Sequence, residues 1–188
     1  MALPHAILVS LSEQSGSGYE LASRFDRSIG YFWSATHQQI YRTLRAMEAD
    51  GWVHVTPVVQ QGRPDKKVYT VAEAGRAELA RWITEPLSGK GTSVTDGRSR
   101  DLAVKLRGVG FGGPAALESL REQVVALRAE RAAVLDVYRG FQKGQFPDPA
   151  ALTGSALHQY LVLRGGIRAE QGSVDWLDEV LAALEGQS

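Results

Sequence analysis

The chain contains no cysteine. That excludes a disulfide framework, thiolate metal sites and a cysteine nucleophile. Its four histidines, His5, His37, His54 and His158, are scattered without the paired spacing of metal ligands. No apolar run reaches the roughly 18 residues of a membrane span. The first residues also lack the basic segment and long apolar segment of a secretory signal. The expectation is a cytoplasmic protein with no membrane partner and no cofactor. No nucleophile–base arrangement, phosphate loop or paired-carboxylate motif stands out, so an enzyme is not expected. An excess of one charge is missing too, since Lys+Arg and Asp+Glu are each 21. Global neutrality weakens non-specific attraction to nucleic acid, but a single basic face can still meet phosphate. With 188 residues and a hydrophobic fraction of 44%, the chain can bury a core for one or two domains.

What is present is concentrated in one segment, residues 34–51. Its pattern predicts a helix capped at both ends, with Ser34 as N-cap and Gly51 in the left-handed position past the C-terminus. Ile40, Leu44 and Met47 fall on one narrow arc and form a core face. At roughly 100° per residue, Gln38, Arg42 and Arg45 fall on the opposite side, flanked by Gln39 and Tyr41. Amides and guanidinium groups can bond base edges, while Arg and Tyr can bond phosphates. The bland alternative is a solvated helix face, the default for exposed charge.

The surroundings favour the first reading. Val53 to Val59 is rich in β-branched residues, residues 60–65 read as a turn, and Lys66 to Val71 reads as a second strand. This hairpin carries Arg63, Lys66 and Lys67 at its tip against a single acid, Asp65. Upstream, Ser17-Gly18-Tyr19-Glu20 is a capping box opening a short helix with Leu21, Ala22 and Phe25 on one face. An apolar run, Ala6 to Leu11, precedes it. The order helix, helix, reading helix, hairpin is that of a winged helix-turn-helix.

At these residues the chain resembles the PadR-type transcriptional regulators. The resemblance runs through residues 1–8, Gly18-Tyr19-Glu20-Leu21, the run Gln39 to Leu44 and the run Gly62 to Tyr69. Residues 29–39 and the long helical C-terminal half resemble the virulence-activator branch of that family. The resemblance implies a homodimer that binds double-stranded DNA and regulates transcription. The candidate DNA contacts are His37, Gln38, Gln39, Tyr41, Arg42 and Arg45 on the helix and Arg63, Lys66, Lys67 and Tyr69 on the hairpin. Repression is favoured over activation. A winged-helix module that binds only protein is the alternative. On the functional reading Tyr31, Phe32, Trp33, Tyr160 and Trp176 wall a ligand pocket, and family members that sense aromatic small molecules make such pockets near the dimer interface. Core packing is the default for these five, and a small-molecule effector is the second reading.

Further along, Thr70-Val71-Ala72-Glu73 reads as another capping box, opening a helix that Pro86 stops. The fold class expected is mainly α: a winged helix-turn-helix over 1–86, a linker over 87–99 and a helical dimerisation domain over 100–188. A helix ending near Gly108 precedes two long ones, Pro114 to about Gln142 and about Ala150 to Leu184. Leu117, Leu120, Val124, Leu127, Val134, Tyr138 and Phe141 form the stripe of the first, and Tyr160, Leu163, Ile167, Val174, Leu177, Leu181 and Leu184 that of the second. Such narrow stripes favour helix–helix packing. Each carries one charged interruption, Arg131 and Glu170. Either these two meet, or, as the default, the helices bend near Gly165-Gly166 and both side chains reach water.

Overall fold

The computed structural model describes residues 3–25, 35–59, 66–87 and 97–186. Its helices are α1 (Leu3–Glu13), α2 (Gly18–Arg24), α3 (His37–Ala49), α4 (Glu73–Thr84), α5 (Gly97–Gly108), α6 (Pro114–Gln145) and α7 (Gly154–Glu185). Three strands, β1 (Gly16–Ser17), β2 (Val53–Val58) and β3 (Lys66–Val71), form one antiparallel sheet in the order β1-β3-β2. The fold is therefore mainly α, with a winged helix-turn-helix at the N-terminal end and a helical C-terminal part.

Contacts divide the chain into two compact units, residues 1–120 and 121–188. The expected linker, 87–99, lies mostly outside the described residues. Helix α5 belongs to the first unit, where Leu102, Val104 and Lys105 are buried. In the first unit α1 is the central element. Seven successive residues, His5 to Leu11, are buried, as expected of a helix covered on all sides. Helix α2 starts with the expected capping box: Ser17 Oγ accepts from the Glu20 N–H, and the Glu20 carboxylate accepts from the Ser17 N–H. Helix α4 does not start as expected. Its N-cap is Ala72 with no side-chain bond, because Thr70 is committed to β3 opposite His54. The Ala72 N–H instead donates to the Trp52 carbonyl at 2.9 Å.

One buried polar cluster joins α1, α4 and α5. His5 stacks on Trp82 at 4.3 Å and shares a 2.9 Å hydrogen bond with Glu78. Lys105 Nζ lies 5.2 Å from the centre of the same indole and donates to the Glu85 carbonyl. Lys105 is completely buried, and Asp101 is buried one turn earlier. Burial pushes the Lys105 ammonium down to about 8, partly opposed by the charges of Asp101 and Glu85.

The second unit contains most of α6 and all of α7. Leu135, Ile167 and Val174 form its buried cluster, with Ala132, Tyr138 and Leu163 packed around it. Leu135, rather than the expected Val134, occupies the buried position of that layer. Polar ties flank the cluster. Arg128 holds Asp178 through two bonds at 2.9 and 3.1 Å, and Arg139 donates to Gln171 at 2.5 Å. Gly165 and Gly166 lie within a continuous α7, and a Cβ at Gly166 would stand 3.1 Å from the Tyr138 ring. That aromatic approach accounts for Gly166. Arg131 and Glu170 meet inside the unit: Nη1 lies 3.7 Å from Oε1, with each side chain 5% exposed. The default of two solvated charges is overturned, because α7 keeps its course and presents Glu170 inward.

A buried pair is costly to break and cheap to remove whole. Arg131→Leu and Glu170→Leu should each destabilise the chain by about 3–5 kcal/mol, whereas the double substitution recovers most of the loss. Denaturant unfolding of the four proteins measures this, and additive losses would contradict it.

Lys105 gives a second expectation. A lysine lowered from 10.5 to about 8 binds its proton less well folded than unfolded. The sign follows from linkage: stability is reduced below pH 8 and rises as pH climbs from 8 toward 10.5. Lys105→Met should raise the melting temperature at pH 7, by at most about 3 kcal/mol of stability, and remove that rise on the alkaline side. Thermal unfolding across this pH range is the measurement.

Candidate nucleic-acid interface

Helix α3 presents two chemically opposite sides. Ile40, Leu44 and Met47 are buried, while His37, Gln38, Gln39, Tyr41, Arg42 and Arg45 are exposed. The helix starts later than expected. Ser34 lies outside the described residues, and Thr36 is the N-cap. Thr36 Oγ1 accepts from the Gln39 N–H at 3.2 Å, and Gln39 Oε1 accepts from the Thr36 N–H at 2.9 Å. The amide oxygen of Gln39 is therefore spent on the cap. The side chains of Gln38 and Arg42 make no hydrogen bond or ion pair among the described residues. At the other end Gly51 has φ +71°, the Trp52 N–H donates to the Met47 carbonyl at 2.8 Å, and the Gly51 N–H to the Glu48 carbonyl at 3.2 Å. These two bonds make a Schellman motif, and they turn the chain directly into β2.

The neighbouring elements fix the pose of α3. The Tyr41 ring lies over Gly18 at the start of α2, where a Cβ would stand 2.4 Å from Cε1. Tyr41 remains 40% exposed on its far side, so it packs and faces solvent at once. Strand β3 pairs with β2 from Val53↔Val71 to Val58↔Lys66, and with the two residues of β1. That third strand was not anticipated. Gly16-Ser17 is too short to carry a strand pattern, and only the pairing of Gly16 with Tyr69 reveals it.

The hairpin residues separate into three groups. Arg63 lies outside the described residues, as do Tyr31, Phe32 and Trp33. Lys67 is exposed, and Lys66 is half-buried beside Glu20. Tyr69 leaves the set of surface contacts: it is 6% exposed, on the covered side of β3. Burial raises its phenol, and the Glu48 carboxylate nearby acts in the same direction. Two residues apart, Tyr69 and Lys67 lie on the same face of β3, so the difference comes from position along the strand: Tyr69 lies beside Tyr41, Arg45 and Glu48 of α3, and Lys67 lies nearer the hairpin end. Below the hairpin, an open groove of about 610 Å³ is lined by Tyr19, Glu20, Arg24, Lys66 and Val68 among others. Arg24 reaches from α2 to the end of α1, donating to the carbonyls of Ser10 at 2.9 Å and Gln14 at 2.6 Å. Neither residue of this bracing, Arg24 or Glu20, was singled out from the sequence as part of the site.

A helix with an unobstructed amide and guanidinium side, braced by a small wing, is built to lie against a polyanion. A family model described as the transcriptional regulator PadR-like family matches residues 7–81, and one described as virulence activator alpha C-term matches residues 100–185. The probable transcriptional regulator Rv1176c of Mycobacterium tuberculosis is 68% identical, over 98% of this chain and 98% of its own length. The chain belongs to the PadR-like family of transcriptional regulators. The negative transcriptional regulator PadR of Bacillus subtilis is 27% identical, over 97% of each chain. Among solved structures, Bacillus subtilis PadR in complex with operator DNA matches at 26% identity, covering 95% of this chain and 97% of that one, with a TM-score of 0.46. By its family and its 68% identical relative, this PadR-like chain is a transcriptional regulator and not an enzyme. Among its described residues, no helix is long and apolar enough to cross a membrane.

The Gly18–Tyr41 contact is testable. In this PadR-like regulator, Gly18→Ala should cost about 1–3 kcal/mol through overpacking, although alanine is the better helix former. In a Tyr41→Ala background the same change should become neutral or stabilising. Chemical denaturation of the four proteins reads the cycle, and an equal cost in both backgrounds would deny the contact.

Proposed function

We propose that this regulator acts as a homodimer, placing two copies of α3 in successive major grooves of a pseudo-palindromic operator, and that it represses. The observation that carries the reading is the exposed side of α3. Gln38, Arg42 and Arg45 stand there together, exposed, with Glu48 at the edge rather than the centre. In this arrangement Gln38 and the arginines address base edges, while Tyr41 and Lys67 address the backbone. His37, at the first position of the helix, is placed for a phosphate.

Dimerisation is assigned to α6 and α7. Val125, Val137 and Phe141 on α6 and Leu161, Val162 and Trp176 on α7 are 41–78% exposed. That is more apolar surface than a soluble helical pair presents without a partner. A second copy covers it and sets the spacing of the two reading helices, which the operator repeat must match. Repression is the simpler outcome, since occupying a promoter needs no further contact. The name of the Bacillus subtilis relative, a negative regulator, supports the same direction.

The test is selection of bound sequences from a random duplex pool, followed by sedimentation of the complex. A palindromic consensus with two chains per duplex is expected. Gln38→Ala should relax preference at one or two positions by about 1–3 kcal/mol. Lys67→Ala should weaken all sequences alike and flatten the slope of log K against log salt by about 0.9. No enrichment from the pool would leave the protein-binding module as the reading. One chain per duplex would remove the dimer.

A further inference from the structure

Lys66 stands where β3 begins, and it is not a free cation. Its Nζ lies 3.1 Å from Glu20 Oε1. The other oxygen of the same carboxylate accepts from the Ser17 N–H at 2.7 Å and from the Ser17 hydroxyl at 2.9 Å. Glu20 therefore closes the N-terminus of α2 and holds a lysine 46 residues downstream. These donors, the Ser17 backbone first and Lys66 second, bring its carboxyl down to about 2, so the charge is present at every physiological pH. The two side chains are 34% and 49% exposed, so the pair lies at the surface, within the groove beneath the wing. Lys67, the next residue, is exposed and has no ion pair among the described residues.

We propose that Glu20 sets the DNA affinity of this protein by withholding Lys66 from the phosphate backbone. The inference rests on the DNA-binding reading above. A lysine that neutralises a phosphate releases about 0.9 of a condensed cation. When Lys66 leaves Glu20 to do so, it uncovers a carboxylate beside the DNA, which takes a cation back. The release and the uptake cancel. Lys66 then adds nothing to the salt slope, although it is one of the three wing cations, with Arg63 and Lys67, that the sequence marks as DNA contacts. In a protein of balanced charge the arrangement lowers affinity for arbitrary DNA, because one wing cation is neutralised internally. Glu20 is a positioning residue here, acting on DNA through Lys66.

Glu20→Gln separates this role from the cap, because a glutamine oxygen accepts the same two bonds from Ser17. The experiment measures binding to a mixed-sequence DNA duplex between about 0.05 and 0.2 M salt. It compares the native chain, Glu20→Gln, Lys66→Ala, Lys67→Ala and the double variant Glu20→Gln/Lys66→Ala. Glu20→Gln should steepen the slope by about 0.9 and tighten binding on the order of five- to tenfold near 0.1 M salt. Adding Lys66→Ala should abolish both gains. In the native background Lys66→Ala should leave the slope nearly unchanged, while Lys67→Ala flattens it. A slope unaltered by Glu20→Gln overturns the inference, and so does a Lys66→Ala effect as large as that of Lys67→Ala. The comparison of the two lysines decides alone where Glu20→Gln fails to fold. If the native chain binds no duplex, the DNA reading falls together with the inference; an unaltered slope with normal binding removes the inference only.

Discussion

Ile40, Leu44 and Met47 are each 0–1% exposed, and their burial constrains most of the N-terminal unit. Three large apolar side chains on one arc oblige α3 to lie against the unit's core, and the opposite arc is left to solvent as a consequence. At about 25 cal/mol per Å² of apolar surface, this is the largest single commitment the helix makes. Everything that aims the helix is arranged around that commitment. Thr36 and Gln39 set where it begins, the Schellman motif sets where it ends, and the Tyr41 ring against Gly18 sets its rotation.

Charge is managed by internal pairing rather than by an excess of one sign. Arg81 is held by Glu78 and Glu85, Arg107 by Glu13, Arg128 by Asp178 and Arg131 by Glu170. Each of these cations is occupied within its own compact unit. The exposed stripe of α3 is therefore distinctive less for the number of its bases than for the fact that Gln38 and Arg42 have no partner among the described residues. The one buried pair among these, Arg131 with Glu170, acts on register. An arginine inside α6 facing a glutamate inside α7 admits one alignment of the two helices, since sliding either by a turn strands a charge among leucines.

How much of this was legible depended on whether the determinant was local. Periodicity located α3, the two long helices and β3 to within a few residues, and the Ser17–Glu20 box was read directly, because spacing along the chain carries that information. The N-cap of α3 was misplaced by two residues, at Ser34 instead of Thr36, since both are good caps and only the Gln39 side chain decides between them. Tyr69 was counted among the DNA contacts with the rest of the hairpin, but how much of that face of β3 is covered depends on the helices packed against it. The Glu20–Lys66 pair spans 46 residues, and nothing in either local sequence announces it. Lys105 was passed over for the same reason: a lysine in an amphipathic helix reads as solvated until Trp82 and the Glu85 carbonyl are placed above it.

Gly75 illustrates how far such non-local determination extends. A Cβ there would stand 2.2 Å from the Trp52 carbonyl, the same carbonyl that receives the Ala72 N–H. The first turn of α4 is thus moulded onto the bend between α3 and β2, and it has no side-chain cap of its own. The N–H of its N-cap residue finds its partner on that bend rather than on a side chain of its own. Helix α3, strand β2 and the first turn of α4 consequently share one close-packed seam at Trp52. A change at Trp52 or Gly75 is therefore felt on both sides of the bend, at the end of α3 and at the start of α4, although neither residue lies on the exposed side of α3.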